Sequence, residues 1–214
     1  HALCFMPPMG PVDSEQDITD YVVQWKIFCF YSEGGANLDE KHMEYVLTQS
    51  PMNIPVIGQL TATRGPEAEE ARTRLLRLFS RFGKYFIDVQ QAGNLSVHSG
   101  ERLKERFDHK QKPAESIALE PGKRYVAFCL TTNNSVGHYM NDRAYHWDYA
   151  SRGSVPLGWG VPLAAADLVP NITKYYYDTM TANDCFVGDL GGLGVALPTV
   201  WGAGTNSPEQ LLAD

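Results

Sequence analysis

Two carboxylates stand where a bound substrate could meet them. Glu33 follows the apolar run 26–31 in a Ser-Glu-Gly-Gly turn, and Asp189 follows the apolar run 185–187 beside a glycine-dense stretch. Two carboxyl groups at a set separation can split a glycosidic bond, one as acid and the other as base or nucleophile. Glu33 and Asp189 are therefore the expected catalytic pair. Asp88 lies within a predicted strand and can face either way. Asp184 precedes its strand, at the end away from the site, and is expected to cap a turn.

Around these acids lie groups suited to sugars. The side-chain amides of Gln59, Asn94 and Asn134 can hydrogen-bond hydroxyls. Trp159 ends a predicted strand and offers a flat apolar face on which a sugar ring can stack. Tyr139, Tyr145, Trp147 and Tyr149 crowd the segment 138–152, which has no clear period and reads as a long loop. The other reading of these aromatics is packing or a subunit contact, because Tyr and Trp are enriched at interfaces. His138 and His146 lack metal-ligand spacing, and no Cys-x-x-Cys pair exists, so neither a metal nor a cofactor is expected. The glycines of 188–194 lack the Lys and Ser/Thr of a phosphate-binding loop. Of the four cysteines (Cys4, Cys29, Cys129, Cys185), three fall inside predicted strands as core thiols, and no disulfide pairing is assigned.

The elements that must position these groups alternate along the chain. Strands are expected near 26–31, 53–60, 85–89, 124–130, 155–159 and 185–187. Helices are expected at 40–49 behind Asp39, at 66–82 behind Pro66, and from Pro162, interrupted by Pro170. The helix behind Pro66 is the clearest: Ala68, Ala71, Leu75, Leu78, Phe79 and Phe82 recur at spacings of three and four, and Gly83 stops it. Alternating strands and helices imply an α/β fold with a mostly parallel sheet of about six strands, open or forming part of a (β/α) barrel. The site should then lie at the carboxyl ends of the strands. Residues 1–20 read as an extended Pro-rich arm that must dock to hide Leu3, Phe5 and Met6. Residues 21–200 read as a single domain, and 201–214 as a surface tail.

Composition narrows the function. The chain of 214 residues is 43% hydrophobic and 20% charged, with a net charge of -7, an ordinary globular balance that disfavours duplex nucleic acid as a partner. No apolar run is long enough for a membrane span. The start at His1 fits a mature product. Sequons at 94–96, 133–135 and 171–173 then suggest a secreted glycoprotein. The expected partner is carbohydrate, with self-association through the N-terminal arm or the aromatic segment as a further expectation.

Four landmarks in order carry a family likeness: NLSVHSG (94–100), RGSVPLGWGVPLAAADLVP (152–170), YYYDTMTANDCFVG (175–188) and GLGVALP (192–198). The succession over about 25–200 resembles the C-terminal domain of the GxGYxYP family, which is assigned to the glycoside hydrolases. The resemblance implies an α/β fold acting on carbohydrate. It places His98, after the Asn-Leu-Ser segment, and Gly192 and Gly194, in the signature, near the substrate. Val195 and Leu197 stand where the signature has tyrosines. The family's Ser-Asp-Gly-Asp-Asn after the fourth strand is replaced by Thr131-Thr132-Asn133-Asn134-Ser135. Thr132 and Asn134 can hydrogen-bond a substrate but cannot serve as carboxylates. The expected activity is therefore either hydrolysis with a shifted carboxylate pair, or carbohydrate binding or a structural role without catalysis.

Overall fold

The computed structural model describes residues 2–6, 18–31, 37–60, 66–101, 111, 118–132, 134–189 and 192–205. Strands β1 (Leu3–Phe5), β2 (Phe28–Phe30), β3 (Ile54–Gly58) and β4 (Lys84–Asp88) form one sheet in the order β2-β1-β3-β4. Strands β5 (Cys129–Leu130), β6 (Leu157–Val161) and β7 (Asp184–Gly188) form a second sheet in chain order. Every strand pair in both sheets is parallel, as expected for an open α/β fold. The helices are α1 (Thr19–Trp25), α2 (Asn37–Gln49), α3 (Pro66–Arg81), α4 (Leu95–Gly100), α5 (Val136–Met140), α6 (Asp142–Trp147), α7 (Ala165–Leu168) and α8 (Pro170–Asp178).

The two sheets meet at the outer edge of β4. Asp88 bridges to Ser135 in parallel, and Phe86 bridges to Val195 antiparallel. The second bridge carries two backbone bonds, Phe86 N–H to Val195 O at 2.9 Å and Val195 N–H to Phe86 O at 2.7 Å. Two loops of the second half thus cover a strand edge that would otherwise be unpaired.

Within the stretch 1–20 read as an arm, Leu3–Phe5 is instead an internal strand between β2 and β3; residues 7–17 lie outside the described residues. Leu3, Cys4 and Phe5 are all buried. The apolar residues that had to dock do so by joining the sheet; burying each large one is worth about 1.5–3 kcal/mol. The strand was missed because three residues carry too little pattern to mark one. At its far end, a Cβ on Gly58 would stand 1.9 Å from the Phe5 carbonyl, so glycine is required there, and its φ is +144°.

α3 appears as its spacing dictates, with Leu75, Leu78 and Phe79 buried, Phe82 buried just beyond it and Gly83 at φ +65° after it. Phe79 stacks at 6.0 Å on Phe86 and meets Phe5 edge-on at 5.6 Å, which fixes the helix on the sheet. Of the stretch 201–214 read as a surface tail, residues 201–204 are tied to the end of α3, and 206–214 lie outside the described residues. The Leu197 N–H donates to Ser80 Oγ (2.9 Å), while Gly202 N–H to Ser80 O (2.9 Å) and Gly204 N–H to Arg81 O (2.7 Å) satisfy carbonyls at the end of α3.

The segment 138–152, read as a loop, contains α6 and most of α5. Tyr139 and Trp147 point into the second core, where Trp147 meets Trp159 at 5.0 Å and Tyr176 at 4.9 Å and stacks on Phe186 at 5.7 Å. Tyr145 and Tyr149 stay exposed. Pro170 does divide the helix after β6: α7 ends at Leu168, and α8 starts on the proline, whose missing N–H costs nothing at a first helical position.

Candidate functional site

A cleft of about 210 Å³ opens at the carboxyl end of β5. Leu130, Thr131 and Thr132 form one wall, and His138, Asp142, Arg143 and His146 from α5 and α6 form the other. The spacing of four puts His138, Asp142 and His146 on one face across two consecutive short helices. His138 Nδ1 pairs with the Asp142 carboxylate. His146 Nδ1 donates to the Asp142 backbone carbonyl at 2.7 Å, which leaves its Nε2 as an acceptor.

Arg143 forms the floor and is 2% exposed. Its Nη2 donates to Gly160 O on β6. The guanidinium lies 4.9 Å from the Tyr139 ring centroid, 5.6 Å from Trp159 and 5.9 Å from Tyr176, an aromatic cage that eases burial of the charge. Burial holds its pKa below the ordinary value, opposed by Tyr139, Tyr176 and Asp189. Nε and Nη1 have no hydrogen-bond partner among the described residues.

Asp189 is at the expected strand end, but its carboxylate is turned into the fold. Its Oδ2 accepts from Thr132 N–H (2.8 Å), Thr132 Oγ1 (2.5 Å) and Asn134 N–H (3.2 Å). To get there it crosses β6 at Gly160, where a Cβ would stand 3.1 Å from its Cγ. The acid therefore shapes the 132–135 turn that forms the cleft wall. Asn134 lies in that turn at φ +58°, 2% exposed, with both amide atoms unpartnered among the described residues. On the turn's other side Asp88 accepts from Gln90 N–H at 2.9 Å. Burial raises its carboxyl pKa, opposed by the Gln90 N–H and by the charges of His138 and Arg72.

The other expected residues are dispersed. Trp159 is 2% exposed; its indole N–H donates to Asp184 Oδ1 at 2.8 Å, and its ring serves the core and not a stacking platform. Gln59 is buried beside a cavity of about 10 Å³ at the ends of β1, β3 and β4, too small for a sugar. Asn94 is exposed at φ +57°, with its carbonyl accepting from Val97 (3.0 Å) and His98 (3.1 Å) to start α4. Neither Asn94 nor His98 lines the cleft. Gly192 donates its N–H to Asp189 O at 3.3 Å. Gly194 lets the signature loop touch β4, since a Cβ there would lie 2.6 Å from Phe86 O. Both glycines have backbone roles. Glu33 lies outside the described residues. Asp184 is the turn-capping residue expected, accepting Thr181 N–H at 2.7 Å and pairing with Arg152 at 2.5 Å.

Sequence reasoning missed His138, Asp142, Arg143 and His146 as a group. The signal was present as the 138–142–146 spacing, but the surrounding aromatics obscured it.

A parallel α/β sheet with a polar cleft at the strands' carboxyl ends is the architecture of many enzymes that act on small polar substrates. The chain belongs to the GxGYxYP family. Residues 2–100 match its model for the "GxGYxYP third domain", and residues 122–212 match the "GxGYxYP putative glycoside hydrolase C-terminal domain". The 94–100 landmark thus belongs to the third-domain match and not to the C-terminal one. The fold is similar to that of a crystal structure described as a "putative hydrolase" from Bacteroides thetaiotaomicron VPI-5482, with TM-score 0.78 and 20% identity over 97% of this chain. This chain spans 37% of that one. No match was found among curated proteins.

Proposed function

We propose that this chain is a carbohydrate-binding part of a glycoside-hydrolase-like protein, with the 130–146 cleft as its sugar site. The observation that carries the reading is the cleft itself: hydroxyl, imidazole, carboxylate and guanidinium groups converge at the carboxyl ends of parallel strands. Such groups suit a polyhydroxylated ligand. Two facts favour binding over turnover. Asp142, the carboxylate among the described lining residues, is engaged by His138, and Asp189 is committed to the 132–135 turn. Asp189 is thereby a positioning residue for Thr132 and Asn134, where the notional catalytic pair would need it free. The extracellular location remains part of the proposal and rests on the sequons.

The runner-up is hydrolysis with Asp88 as proton donor. Asp88 bridges to Ser135 of the cleft's 132–135 turn, and burial raises its carboxyl against the opposing charge of His138, as suits a general acid.

A glycan-array screen with product analysis on every hit separates the readings. Binding without release of reducing ends, lost in His146→Ala, is the expected result. Release of reducing ends that Asp88→Asn abolishes would replace it with the hydrolytic reading. Absence of both would leave an assembly role, with exposed Tyr145 and Tyr149 as the surface to test.

A further inference from the structure

Cys4 and Cys29 are register partners on the neighbouring parallel strands β1 and β2. Parallel neighbours run about 4.8 Å apart, and a disulfide joins residues whose Cα atoms are about 4.4–6.8 Å apart. In a parallel pair, register partners project to the same face of the sheet, so the two side chains are neighbours. The remaining cysteines cannot do the same. Cys129 and Cys185 are both register partners of Gly158, one on each side. They are two strand spacings apart, roughly 9.6 Å, which is beyond a bridge.

Their environments differ in a useful way. Cys29 is exposed on an edge strand, while Cys4 is fully buried. Burial first, and the neighbouring Cys29 second, push the Cys4 thiol up to about 12, so it stays protonated at neutral pH. A small oxidant therefore meets Cys29 first.

We propose that Cys4 and Cys29 are a redox-active pair that closes to a cross-strand disulfide when a hydroperoxide is the oxidant. The Cys29 sulfur takes an oxygen as the peroxide O–O bond breaks, giving a sulfenic acid and, from hydrogen peroxide, water. The Cys4 sulfur then attacks the Cys29 sulfur as its proton passes to the sulfenic oxygen, because the buried thiol is not ionised beforehand. The S–O bond breaks, and the departing hydroxide leaves as water with the Cys4 proton. Two thiols are oxidised and one peroxide is reduced to two waters. The new bond ties edge strand β2 to the buried strand β1.

The test uses the full wild-type chain. The reduced protein is exposed to hydrogen peroxide, quenched, denatured and alkylated with N-ethylmaleimide, then weighed and peptide-mapped. The disulfide form should lack two of the four possible alkylations, with about 2 Da lost for the two thiol hydrogens and one peptide pair joining Cys4 to Cys29. Cys129 and Cys185 should remain alkylatable, and the oxidised chain should unfold at a higher temperature. In Cys29→Ser, Cys4 should stay a thiol under the same treatment. A link mapped to another pair would overturn the proposal. So would Cys29 halted at the sulfenic or sulfinic stage with Cys4 still alkylated.

Discussion

Asp184 accepts from Thr181 N–H, from the Trp159 indole and from Arg152, with its side chain 1% exposed. Burial alone would raise its pKa; the Thr181 N–H, the Trp159 indole, the Thr181 hydroxyl and the Arg152 charge together hold it below its ordinary 3.8. A carboxyl depressed in the folded state adds stability above its unfolded pKa, and that stability is lost as pH falls through the folded value. Asp184→Asn should therefore cost about 3 kcal/mol at pH 7, because it takes the carboxylate counter-charge from the mostly buried Arg152. Arg152 then keeps its bonds to the Trp147 and Thr179 carbonyls and its stacking on Trp147. The cost should shrink progressively below pH ~4. Urea unfolding of both proteins at pH 7 and pH 3 measures it; an equal loss at both would refute the charge argument. The placement of Asp184 at the wrong strand end for catalysis was legible from its position before an apolar run. The fate of Asp189 was not, because the donors that hold it come from residues 132 and 134, more than fifty positions away.

At the scale of elements, the cleft depends on α5 lying directly against the loop after β4. A Cβ on Gly137 would stand 1.7 Å from Gln90 O, so the helix reaches this position only with glycine there. The Asn141 side chain adds a bond to Gln91 O at 3.0 Å. Gly137→Ala should destabilise the chain by about 3 kcal/mol and weaken sugar binding by displacing His138. Thermal unfolding and a titration with any array hit check both halves, and an unperturbed variant would show that α5 can shift freely. α3 was readable because sixteen residues carry a full amphipathic period between a start signal, Pro66, and a stop signal, Gly83. α5 and α6, of five and six residues, carry barely a turn and a half each, and inward Tyr139 and Trp147 alternate with outward Tyr145 and Tyr149.

At the scale of the molecule, the two sheets depend on each other through β4 and on β1 at the centre of the first sheet. Removing residues 1–6 takes out the strand to which both β2 and β3 pair. The truncated chain should lose cooperative unfolding in circular dichroism. A folded protein with only a changed oligomeric mass would instead restore the view of this segment as an arm. The signature loop belongs to the same scale: its glycines bring Val195 onto β4, which gives this glycine-dense stretch a joining role in the fold.

The sequence by itself determined the alternation of strands and helices, six of the seven described strands, the parallel α/β class and the family likeness. These rest on local apolar period, proline and glycine signals, and motif order, all carried by contiguous residues. Only the tertiary structure decided which polar groups meet. It turned Trp159 inward, set Asp189 on a distant turn, and gathered His138, Asp142, Arg143 and His146 over β5. Those outcomes depend on how far separated segments pack, on which carbonyl a buried cation reaches and on where a missing Cβ allows two backbones to touch.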